Sequence, residues 1–70
     1  MNTPTFATLP AMSIEDAIAK FNVAFGTSLN QNQERTKYDL DNLSRHAHEG
    51  GENYLASALH RYAEIAPEVI

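Results

Sequence analysis

The side chains of this chain with the widest chemical repertoire are three histidines and nine carboxylates, and cysteine is absent. His46 and His48 are two residues apart, so on a helix they point about 200° away from each other. A helix-borne metal pair needs the i, i+4 spacing that places both rings on one face. His60 belongs to a different segment, and no carboxylate spacing completes a ligand triad around any of the three. Asp39 and Asp41 likewise stand on different sides of a helix, which does not suit paired acid–base work. The lack of cysteine removes thiolate metal sites, disulfides and a cysteine nucleophile together. There is no Gly-x-Ser-x-Gly elbow and no glycine loop able to cradle phosphate. A chain of 70 residues also has little room for a concave active site. The sequence therefore predicts no enzyme, no cofactor and no metal ligand, and the histidines read as solvated or partly packed groups. His46 and His48 suit the negative end of the helix that carries them.

Recognition of another protein is the chemistry these residue types support best. Tyr38 stands among Glu34, Arg35, Asn42 and Arg45 on the polar side of a helical stretch. Tyr and Arg combine contact area with hydrogen bonding, which is why interfaces favour them. This group is the predicted partner-binding site. A second surface, Tyr54, Ala58 and Ile65, extends an apolar stripe and is the predicted dimer interface.

These residues need elements to hold them, and apolar spacing supplies three helices. The first spans residues 13–25: Ser13 with Asp16 resembles a capping box, and Ile14, Ala17, Ile18, Phe21 and Phe25 form one apolar stripe. Gly26 stops it. Gly26-Thr27-Ser28 reads as a tight link, with a second possible cap at Ser28. A long central helix over residues 29–49 follows, its inner side made by Leu29, Gln33, Thr36, Leu40, Leu43 and Ala47. Lys37 with Asp41, Asp41 with Arg45, and Arg45 with Glu49 are spaced for ion pairs one turn apart. Gly50-Gly51 breaks this helix, and the third covers residues 52–66 before Pro67. Leu55, Leu59, Tyr62 and Ala66 make its main stripe, with Tyr54, Ala58, Arg61 and Ile65 beside it. Val69 and Ile70 are expected to fold back onto the body. Residues 1–12, with Pro4, Pro10, Phe6 and Leu9, read as an extended N-terminal arm, and residues 13–70 as the single helical domain.

So short a chain buries only about 60% of its unfolded surface, and without disulfides a second subunit is the favoured remedy. The expectation is an all-α homodimer. The formal net charge of −4 and the scattering of the basic residues argue against nucleic acid, whose phosphates demand a basic stripe. A dimeric DNA-binding regulator is the alternative, with residues 29–35 as the start of its recognition helix. No window is long and apolar enough to span a membrane, and the N-terminus lacks a secretory pattern, so the expected location is the cytoplasm. In size, acidity and want of cofactor motifs the chain resembles the short accessory proteins of phages, plasmids and bacteria that block or redirect a larger host protein. That likeness implies a non-enzymatic inhibitor or modulator of, for example, a transcription regulator or a defence or motor complex.

Overall fold

The computed structural model describes residues 12–69. Within them the chain is all-helical, with three helices in the order α1 (Ile14–Phe25), α2 (Lys37–Glu49) and α3 (Asn53–Ile65). The arm expected over residues 1–12, with its anchors Phe6 and Leu9, lies outside the described residues except for Met12, as does Ile70.

Helix α1 starts where its cap residue dictates. The Ser13 hydroxyl accepts from the Asp16 N–H at 3.1 Å, satisfying one of the free amides of the first turn. Gly26 ends it, donating its N–H back to the Asn22 carbonyl. Ala17, Ile18 and Phe21 are buried on its inner side, flanked by half-buried Ile14 and Phe25, as the stripe predicts.

The long central helix is not formed. Residues 27–36 are non-helical, and α2 begins only at Lys37. Two contacts fix that start: the Thr36 hydroxyl accepts from the Asp39 N–H at 3.2 Å, and the Lys37 N–H donates to the Pro67 carbonyl at 2.8 Å. The preceding stretch is held by side-chain amides instead of by helical bonds. Asn22 donates from Nδ2 to the Leu29 carbonyl at 2.9 Å and accepts the Leu29 N–H through Oδ1 at 2.9 Å, and the Thr27 hydroxyl donates to the same Oδ1 at 2.7 Å. Downstream, Asn30 Oδ1 accepts from the Asn32 N–H at 2.9 Å in an Asx turn. The tight link and the cap expected at Ser28 are thereby replaced by an ordered loop, and the recognition helix required by the DNA-binding alternative is absent from residues 29–35.

Helices α2 and α3 form an antiparallel hairpin. The pairs that meet across it are Lys37 with Pro67, Asp41 with His60 and Ser44 with Ala56, so one strand of numbering falls as the other rises. Ser44 is buried and donates its hydroxyl to the Ala56 carbonyl at 2.8 Å. That bond reaches a backbone oxygen because small residues line the seam: Ala47, Ala56 and Ala63 are all buried, and helix separation shrinks with the side chains at the contact. Leu40, Leu55 and Leu59 fill the space between the hairpin and α1, meeting Ile18 and Phe21. At the hairpin's turn the Phe25 ring packs on Gly50, where an added Cβ would overlap it at 2.5 Å, and on the His46 ring at a centroid distance of 4.8 Å.

Three smaller expectations are corrected. Among the described residues the only carboxylate contacts to a basic side chain are those of His60, so the three one-turn pairs along α2 are not closed; exposed pairs of this kind are worth little. Val69 is 81% exposed and does not fold back. Ala58 is 5% exposed, enclosed by its own chain.

Candidate protein-binding surface

Starting α2 at Lys37 divides the predicted partner site in two. Tyr38, Asn42 and Arg45 remain on the helix at i, i+4 and i+7, all exposed on its outer side, and Tyr38 is 58% exposed. Among the described residues none of these three side chains makes a hydrogen bond or ion pair within the chain. Glu34 and Arg35 sit in the loop before α2. Arg35 is half-buried: its Nη2 donates to the Asn30 carbonyl at 2.8 Å, and its Nε is enclosed with no acceptor. The guanidinium thus buttresses the loop and is not part of the outer face of α2.

Glu34 and Arg35 instead help line a groove of about 400 Å³, together with Ile14, Leu40, Tyr62 and Ile65. Leu40 lies about 200° around α2 from Tyr38, so groove and tyrosine face open on different sides of that helix. Tyr62 is anchored at the groove's edge, donating its hydroxyl to the Met12 carbonyl at 2.8 Å. Sequence spacing gave no sign of this groove, because it depends on residues 31–35 crossing between α1 and α3.

Of the predicted dimer surface, Tyr54 and Ile65 are 65% and 66% exposed. Eleven residues apart, they fall within about 20° of one another around α3. Ala58 lies between them in sequence but is buried by the chain itself, so it offers no area to a second copy.

His60 is the residue whose surroundings the spacing argument passed over. Its Nε2 is 3.3 Å from Glu64 Oε2, one turn on, and its Nδ1 is 3.8 Å from Asp41 Oδ1 on α2. The i, i+4 relation of His60 and Glu64 was readable; the arrival of Asp41 from α2 required the hairpin. All three side chains are well exposed, so the cluster is a solvated clasp across the two helices. Among the described residues no three His, Asp or Glu side chains are arranged to hold a metal ion, and no helix is long and apolar enough to cross a membrane.

No protein-family model matches this chain, and neither the curated proteins nor the solved structures contain a significant match to it.

Proposed function

We propose that this chain is a non-enzymatic protein-binding module that covers a functional surface of a larger protein in the cytoplasm and inhibits or modulates it by occupying that surface. The observation that carries the reading is the outer line of α2: an exposed tyrosine followed at one and two turns by Asn42 and Arg45, none of them engaged within the described chain. An aromatic anchor beside an amide and a guanidinium supplies apolar area, hydrogen bonds and charge in one strip, the combination that concentrates binding energy at interfaces. Blocking by occupancy needs shape and charge complementarity and no reactive group. Partners of the kind the accessory proteins of phages and plasmids meet, such as a transcription regulator or a defence or motor complex, fit this mode. Replacing Tyr38→Ala and Arg45→Glu together is expected to abolish partner capture from lysate while leaving the helical circular dichroism unchanged. Undiminished capture by the folded double variant would remove the site from α2.

Self-association through Tyr54 and Ile65 is the second part of the proposal. Two large apolar side chains exposed on one line of α3 are stabilised by covering, at about 25 cal/mol per Å² of apolar area removed from water. Light scattering is expected to give twice the 7.8 kDa chain mass, reverting to the single mass for Tyr54→Lys with Ile65→Lys. A single-mass species in the unaltered protein at micromolar concentration excludes the dimer.

A further inference from the structure

Self-association through α3 names a face but not a seat, and the groove between residues 31–35 and the end of α3 supplies one. Resting on that reading, we propose that the Tyr54 ring of each copy enters this groove of a second copy, with the two α3 helices antiparallel about a two-fold axis. Ile65 belongs to both features: it is 66% exposed on the same line of α3 as Tyr54, and it lines the groove together with Leu40, Tyr62 and Ala66. The apolar line and the groove are therefore one continuous surface. Asn32 and Glu34 contribute an amide and a carboxylate to the same lining. Tyrosine matches that mixture, because its ring is apolar and its hydroxyl finds a hydrogen-bond partner when buried, and Tyr54 is 65% exposed.

Symmetry and charge set the direction of the pairing. Tyr54 lies near the start of α3 and Ile65 at its end, about 16 Å apart at 1.5 Å per residue. A two-fold pair uses the same patch on both copies, so antiparallel helices bring both rings to both grooves at once. Parallel helices would set Tyr54 on Tyr54 and groove on groove. They would also set Arg61, which lies within about 20° of Tyr54 around the helix, against its own like charge. Seating the ring covers Tyr54, Ile65 and the groove wall together, where simple stacking of the two helices covers only the first two. A one-way seating would continue into an open chain of copies, whereas the reciprocal one stops at two.

The cysteine-free sequence allows a direct test on the full chain. Asn53 is exposed beside Tyr54, so a nitroxide on Asn53→Cys marks the ring's position. In a mixture of these chains at natural isotope abundance with nitrogen-15 chains lacking the nitroxide, only contact between copies is seen. The amides of Asn32, Glu34, Ile65 and Ala66 are expected to weaken, while those of Gly51 and Asn53 keep their intensity. Weakening centred on residues 50–54 overturns the proposal in favour of parallel helices, and uniform weakening, or none, overturns it outright. Ala66→Phe, which narrows the groove without touching Tyr54 or Ile65, is expected to raise the dimer dissociation constant about tenfold with helical circular dichroism retained. An unchanged constant in the folded variant removes the groove from the interface. A single-mass species in light scattering defeats self-association itself, whereas a dimer with the wrong nitroxide pattern defeats only the seating, so the two failures are told apart.

Discussion

The two connections between helices solve the same problem by different means. Residues 50–52 turn α2 into α3 with backbone groups alone: Gly50 donates to the His46 carbonyl, Gly51 to His48 and Glu52 to Ala47, at 2.8–3.1 Å. Gly51 makes this possible with φ of 85°, a region where a Cβ costs energy. The link between α1 and α2 is longer and is stitched by side chains, with Asn22, Asn30 and Arg35 supplying the bonds. A glycine turn has the same shape whatever packs beside it. An amide-stitched loop holds only while its few anchoring side chains are present, and Asn22 is the chief of them because it takes both backbone groups of Leu29.

The difference can be broken at its strongest point. Asn22→Ala removes three hydrogen bonds and leaves the N–H and carbonyl of half-buried Leu29 without partners; at about 1 kcal/mol per bond, and more for an orphaned group, a loss of about 2–3 kcal/mol is expected from urea denaturation. Leu29 amide exchange should accelerate more than that of Leu59. If both accelerate equally, the loop has no separate anchoring and the contrast between the links fails. Gly51→Ala tests the other link: holding alanine in the left-handed region is expected to cost about 1–2 kcal/mol, with the loss spread over α2 and α3 together. The smallest effect sharpens the contrast. Gln31→Ala and Gln33→Ala, at exposed positions of the long link with no hydrogen bond among the described residues, should each change stability by less than about 0.5 kcal/mol. A larger loss would mean that the stitching extends beyond Asn22, Asn30 and Arg35.

These two links also mark where the sequence could be read and where it could not. Apolar spacing located the core sides of all three helices, because Ile18, Phe21, Leu40, Ala47, Leu55 and Leu59 recur at helical intervals whatever the loops do. Ser13 and Gly26 were legible as ends because a cap is a local event. The start of α2 was misplaced although its signal was present: Thr36 stands three residues before Asp39 just as Ser13 stands three before Asp16. A run without proline or glycine, starting at a rival cap at Ser28, outweighed it. What tipped the balance is long-range. Asn22 reaches forward seven residues, and the Pro67 carbonyl reaches back to Lys37 from the far end of the chain, contacts that no window of local spacing contains. The candidate site suffered in proportion. Tyr38, Asn42 and Arg45 lie past the true start and kept their common face. Arg35 and Glu34 lie before it and lost theirs, and Ala58 was assigned outward because periodicity does not tell which neighbour covers the flank of a stripe.

The hydroxyl of Tyr62 on Met12 and the amide of Lys37 on Pro67 bring both ends of the described chain to one pole of the molecule. A circularly permuted gene, linking the chain between those two anchored points and reopening it at the exposed Gly51, would therefore keep the packing of the three described helices. It would convert the hairpin from a covalent loop into two helices held by their seam alone.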